Sequence, residues 1–532
     1  MRQPIRCLFS LALALASQPA VFAAEKPVTL YKGLGSWTHS IATRNADAQK
    51  FFDQGLALLY GFNRYESLRS FRKASELDPQ SVMAYWGMAM AQGPYINMDG
   101  DGSYDLKAAC AAVAAGRKLT AAPERERAYL SAVATWCPEF RPAAYVEAMH
   151  ALSARSPDDP DAATIYAESL MIPVRWHWYS AAGAPAAGVL EAEHTLEGVL
   201  RRWPQHPGAN HYYIHAVESS PTPERAVPSA QRLMGIVPWA GHVVHMPGHI
   251  WLVLGEWETA AGVNERAVAV DREYFAATNV TGGSYTPYYY HNLDFIRYAR
   301  SMQGRKADAL RAADALAAAS APMLQVMPEM GDSIFPVVLF TYVRFGEWDH
   351  VLKTPQPGAK QVMSTAAWRF ARGVALAAKG DRAGAARERD AFEKTRASAP
   401  ADAPYGQNQV RDVLSLASEV LAARMAATPA DALPHWQRSV ALQDALTYDE
   451  PPDWYYPLRE SFGAALLRAG KAPQAEQVFR EGVKRSPKNG RMLFGLLQSL
   501  QAQHKAEDAR WVQREFDAAW SKADIKLRLE DL

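Results

Sequence analysis

The sequence predicts an all-α protein: a right-handed superhelix (α-solenoid) of antiparallel helical hairpins, interrupted by loop insertions. Two observations predict it. Small residues and single bulky rings return with a 34-residue period, and prolines recur where the second helix of a unit must stop. With 49% hydrophobic and 21% charged residues the chain has the composition of an ordinary folded protein. Its 57 Lys+Arg against 56 Asp+Glu leave no basic excess to neutralise phosphates, so nucleic acid is not an expected partner.

The elements follow in order. Arg2 and Arg6 precede the apolar stretch Leu8 to Ala16, and Val21-Phe22-Ala23 offers a cleavage site, so residues 1–23 read as a signal peptide cut after Ala23 or Ala24. The mature protein is then periplasmic or secreted. No later stretch reaches the roughly 18 apolar residues of a membrane span. Processing removes two Arg and no acid, which leaves a net charge of −1 with histidines neutral. Cys7 leaves with the signal. Cys110 and Cys137 either pair in an oxidising compartment or stand as two separate buried thiols. Residues 24–45 form an N-terminal extension.

Repeats occupy the rest: an N-terminal set with an insertion over 46–160, a central set over 161–320 and a C-terminal set over 321–532. In the unit 48–81, Gly55, Phe71, Ala74 and Pro79 take positions 8, 24, 27 and 32. In 456–489, Gly463, Ala475, Phe479, Gly482 and Pro487 take positions 8, 20, 24, 27 and 32. Small residues let two helices approach, and the ring at position 24 fills the gap. These residues resemble the tetratricopeptide repeat (TPR) family, whose units are antiparallel helix pairs. Weaker units fit at 207–240 (Ala226, Leu233, Pro238) and 241–274 (Gly248, Ala260, Ala267). Segments 94–107, 172–188 and 275–289 are too rich in Gly, Pro and aromatic residues to continue a helix, and long loops on a helical array are usually functional or mobile.

Histidine is unevenly spread: seven of the 14 lie between His206 and His291. The register puts His211, His215 and Glu218 on one stripe of the first helix of 207–240, and His242, His245 and His249 on the matching stripe of 241–274. His291 and Asp294 continue it on the next helix. In the family that this pattern resembles, the stripe lines the concave groove. A histidine pair at i and i+4 turns both rings toward one ion, and the spacing occurs twice, in His211/His215 and His245/His249. The site residues expected for metal are therefore His211, His215, His242, His245, His249 and His291. His242 and His249 are too far apart along the helix, roughly 10.5 Å, to share an ion easily. Either His242 supports the others or there are two ions with three histidines each. His206, beside Pro207, reads as a surface or capping residue, and His39 as isolated.

Glu218 and Asp294 are the expected proton-managing catalytic carboxylates, and Glu168 a further groove carboxylate. Met83, Trp86 and Met90 share the stripe one unit earlier, where they are either core or an apolar groove wall. The aromatic loop from Tyr448 to Pro457, with Trp454 and Tyr455, can cover the groove. Trp86, Met90, Glu168, Trp454 and Tyr455 are thus the expected substrate-binding residues. A histidine-dominated set favours copper, with zinc and iron as alternatives, over magnesium or calcium. The expected function is a copper-dependent oxidoreductase or oxygenase acting on a small-molecule or peptide substrate in the groove. The alternatives are a zinc hydrolase on the same residues and a periplasmic adaptor for a peptide or protein partner. No Ser-His-Asp elbow, phosphate loop or dinucleotide fingerprint competes.

The strings Tyr60-Gly61-Phe62-Asn63, Tyr85-Trp86-Gly87, His245-Met246-Pro247-Gly248-His249-Ile250, His291-Asn292 and Glu450-Pro451-Pro452 resemble those of a histidine-rich group of secreted bacterial TPR proteins. The resemblance implies the fold and an exported location, and no activity. In that group Asn63 would often be a histidine, so the resemblance gives the N-terminal unit no ligand here.

Overall fold

The computed structural model describes residues 25–97, 104–280, 283–358 and 360–532. The expected signal peptide lies outside the described residues. Helices follow one another as antiparallel hairpins from Ala46–Tyr60 and Arg64–Leu77 through to Gly490–Ala502 and Ala506–Ala519. Among the described residues, the only strands are the two-residue pair Pro404–Tyr405 and Asn408–Gln409, which form a small antiparallel hairpin.

Starts are set by capping side chains: Asn45, Asn63, Ser81, Asp159 and Asn489 each accept a hydrogen bond from the first turn of the helix that follows. The 34-residue motif is a packing device. Phe71 lies between two hairpins, and a Cβ at Gly55 would come within 2.7 Å of its ring and one at Gly87 within 2.4 Å. Phe479 does the same between Gly463 and Gly495, at 2.6 and 2.1 Å. Each phenyl ring is fully buried, which contributes about 1.5–3 kcal/mol. Neighbouring repeats are thereby joined ring to backbone.

One continuous hydrophobic core gathers residues from Leu34 to Tyr288. A second gathers residues between Leu339 and Ala465, and a third lies beyond it. The helix Lys306–Val326 spans position 320 and carries Pro322 inside it. The loop expected over 275–289 is shorter. The helix Trp257–Thr278 extends into it, and the next helix, Thr286–Met302, starts on Thr286-Pro287, because proline is tolerated in a first turn. Cys110 and Cys137 form a disulfide that ties the helix Leu106–Gly116 to the segment after Trp136.

The C-terminal repeats fold back on the central ones. Trp257 Nε1 donates to the Lys488 carbonyl at 3.3 Å, Lys488 pairs with Glu256, and the Asp524 carboxylate accepts from the Lys306 and Ala307 backbone N–H groups at 2.7 and 2.9 Å. This closure brings residues 448–450 onto the central helices.

Candidate metal centre

Three stretches of helix carry the histidines. The helix Pro207–Glu218 starts on His206, whose Nδ1 accepts from the Ala209 N–H at 3.0 Å, and it presents His211, His215 and Glu218. Gly241–His245 and Pro247–Val253 form a pair broken at Met246, because Pro247 has no N–H to continue the ladder. They present His242, His245 and His249. Thr286–Met302 adds His291. Gly248 matters at this point: a Cβ there would sit 2.5 Å from Asn264 Nδ2, so the glycine lets Asn264 of the facing helix reach His245.

The six rings meet. His211, His215 and His242 bring three donor atoms within 4.8 Å of one another, and His245, His249 and His291 do likewise. The trios adjoin, with ring centroids 5.4 Å apart for His242 and His245 and 5.5 Å for His215 and His249. Five of the rings are at most 2% exposed, and only His291 is partly open.

The outer nitrogens are anchored. His211 Nδ1 donates to the Tyr60 carbonyl at 2.5 Å, His215 Nδ1 to Glu218 Oε1 at 2.9 Å, His245 Nδ1 to Asn264 Oδ1 at 2.6 Å, and His249 Nδ1 to Glu218 Oε2. Each acceptor fixes the proton on Nδ1 and leaves the Nε2 lone pair free. Those Nε2 atoms point inward: in His211 and His215 they are buried without a partner, as are both ring nitrogens of His242. In His245 and His249 they face each other at 2.6 Å. Burial, reinforced by neighbouring imidazoles, pushes His211, His242 and His245 well below the usual histidine range. His291 is pushed down to about 3 for the same reasons. Burial alone would raise Glu218, but His249 and His215 hold it down at about 2, so it is a carboxylate.

Described residues of the interrupting segments and of the C-terminal aromatic loop pack around this centre. Tyr95, from the first, packs on Phe62 at 5.3 Å, and Phe62 stacks 5.1 Å from His242. Asn97 holds the Tyr288 hydroxyl at 2.9 Å, and Tyr288 lies 4.5 Å from His242. Trp176 and Trp178, from the second, stand 6.0 and 5.8 Å from His215. Glu450, from the C-terminal aromatic loop, reaches within 3.5 Å of His249 Nδ1, and its Oε2 is buried without a partner. Burial and the charges of Glu218 and Asp449 push the Glu450 carboxyl well above the usual carboxylate range.

The remaining expected residues lie elsewhere. Asp294 accepts from Arg297 Nε and belongs to neither trio. Glu168 is buried beside Arg64 and Tyr145, and burial lifts it to about 7 against the partial pull of Arg64. Trp86 packs on Phe52 and Tyr129, at 6.3 and 5.3 Å, and Met90 lies against Tyr145, so both are core. Trp454 and Tyr455 pack on Phe340 in the C-terminal core, at 5.4 and 4.9 Å. His206 is a capping residue and is fully buried rather than at the surface. His39 is not isolated: its Nδ1 meets Asp161 at 2.9 Å, and Asp161 also receives Tyr60 and His206. Asn63 is an N-cap, and the N-terminal unit contributes Phe62 and the Tyr60 carbonyl rather than a ligand. Sequence reasoning did not assign Glu450, Asn264 or Phe62 to the site; the Tyr60-Gly61-Phe62-Asn63 and Glu450-Pro451-Pro452 strings touched Phe62 and Glu450, and no signal touched Asn264.

No family model and no curated protein matches the chain. Among solved structures it is similar to the Cut9–Hcn1 hetero-tetramer of APC/C (11% identity, 92% of this chain and 77% of that one, TM-score 0.30). It is also similar to yeast Tom70 (11%, 88% and 90%, TM-score 0.28) and to human IFIT1 in a dimer with m7Gppp-AAAA (10%, 90% and 91%, TM-score 0.33). Likenesses this distant carry no argument. The chain's own helix pairs and glycine-seated rings define it as a helical solenoid of TPR-like hairpins.

Proposed function

We propose that this helical-repeat protein holds transition-metal ions between its two histidine trios and uses them to oxidise a small organic or peptide substrate. The observation that carries the reading is the anchoring of four outer nitrogens, which commits four inner lone pairs to one buried volume. Three imidazoles at each of two positions favour copper over magnesium or calcium, with zinc and iron as alternatives. Copper would supply electron transfer to oxygen. The protein's part is to fix the rings, to exclude water behind Phe62, Trp178 and Phe295, whose ring lies 4.6 Å from His245, and to place Glu450 beside His249. Because Glu218 is already committed to His215 and His249, it acts as an orienting carboxylate, and Glu450 is the better-placed proton carrier. The disulfide fits an oxidising, exported compartment.

A second reading has its own support. Five of the six rings are buried beneath loops and aromatic side chains, and a closed site favours a structural ion in a scaffold that binds a protein or peptide. Elemental analysis of the purified protein, followed by spectra with and without copper, tests both. Protein that stays metal-free on reconstitution would defeat the metal reading. A bound ion that never changes valence with oxygen or reductant would favour the scaffold.

A further inference from the structure

The C-terminal repeats enclose a second, chemically different cavity of about 730 Å3. Three arginines meet in its wall. Arg344 is neutralised by Glu460, at 2.5 and 3.0 Å. Arg424 donates only to neutral hydroxyls, Ser461 at 3.1 Å and Tyr456 at 3.4 Å. Arg491, 2% exposed, donates to the Asp531 backbone carbonyl. Among the described residues, neither Arg424 nor Arg491 has a carboxylate at ion-pair distance. The Nε atoms of Arg344 and Arg491 are buried with no hydrogen-bond partner.

An unpaired buried guanidinium is costly, and here the cost is visible: burial and the neighbouring Arg344 pull Arg491 down to about 9. Folding alone would be served better by an apolar residue. Arg424, by contrast, is open to the cavity, and its guanidinium stacks 5.1 Å from the Trp436 ring, which leaves its edge free to meet a ligand. Tyr456 lies under Arg344 at 4.9 Å, so the wall combines forked donors with flat aromatic faces.

We propose that this cavity binds a small dianionic ligand, such as a phosphate monoester or a dicarboxylate, seated on Arg424 and Arg491 with its organic part against Trp436 and Tyr456. Two guanidinium groups without a carboxylate at ion-pair distance match one dianion, and guanidinium forks pair with oxyanions in two-point geometry. The site is separate from the histidine centre and does not depend on a metal being there.

Calorimetric titration of the full chain tests it, with inorganic phosphate in one arm and malonate in the other, at low ionic strength and with chloride as the monoanion control. Binding of at least one dianion in preference to chloride is expected, weakened at least tenfold in Arg424→Gln. The accessible Arg424 is the chosen variant, and an unchanged melting temperature with equal helical content shows that it folds. Binding is expected to survive in His245→Ala, which separates this site from the metal centre. No heat from either dianion at millimolar concentration, or equal affinity in wild type and Arg424→Gln, would overturn the proposal. Preference for phosphate or malonate tells a tetrahedral from a planar oxyanion ligand.

Discussion

Nε2 of His245 lies 2.6 Å from Nε2 of His249, while both Nδ1 atoms are hydrogen-bonded to acceptors. With the protons held on Nδ1, two lone pairs face each other across that gap. A proton or a metal ion is what such a pair accommodates.

Metal content should therefore respond trio by trio. His249→Ala is expected to cost the ion of its own trio and His211→Ala that of the other, each lowering a stoichiometry of two toward one. Elemental analysis of both variants checks this. If either substitution removes all metal, there is a single shared ion.

Glu218 fixes two rings of different trios through their outer nitrogens. Glu218→Gln keeps the shape and loses the charge. Metal affinity should fall about 10–100-fold, the usual effect of removing a carboxylate behind a histidine ligand, with the fold intact. Chelator competition followed by absorbance measures it.

Metal-free protein should weaken in acid. The buried histidines resist protonation, with His291 down at about 3, whereas in the unfolded chain a histidine protonates near 6.5. Between those values the unfolded state binds more protons, so stability falls as pH falls from about 6.5 toward 3. Each such histidine contributes a slope of up to about 1.4 kcal/mol per pH unit. Glu218, held at about 2, adds a loss of the same sign below its ordinary range near 4.5. Denaturant midpoints across this range check the slope, and a flat profile would mean that the rings are open to water.

Gly87→Ala should destabilise by about 1–3 kcal/mol, the usual cost of overpacking, because its Cβ would sit 2.4 Å from the Phe71 ring. Gly262→Ala, where nothing lies within 4 Å, should cost little. Thermal melts of the two variants give the comparison.

The fold was legible because its rules are local. Gly55 with Phe71, and Gly463 with Phe479, repeat one steric device at a fixed spacing. His211, His215, His245 and His249 were legible for the same reason, since helical periodicity places i and i+4 on one face. Partners from distant parts of the chain were not. Asn264 meets His245 only because Gly248 allows two helices to touch. Glu450 meets His249 only because the solenoid closes on itself, across a separation that no periodicity encodes. Trp86 and Met90 shared the stripe yet point into core, because the helices Glu124–Val133 and Pro142–Arg155 cover that face with Tyr129 and Tyr145.

The closure also sets an order of events in the making of the protein. All six histidines have emerged by residue 291, whereas Glu450 and the contacts of Lys488 and Asp524 that draw the ends together come from the last part of the chain. A half-finished polypeptide thus has every imidazole in hand and lacks only the cover that the Glu450 loop adds. On the proposed metal reading, ions are expected to load faster before the terminal repeats dock than they exchange in the completed molecule.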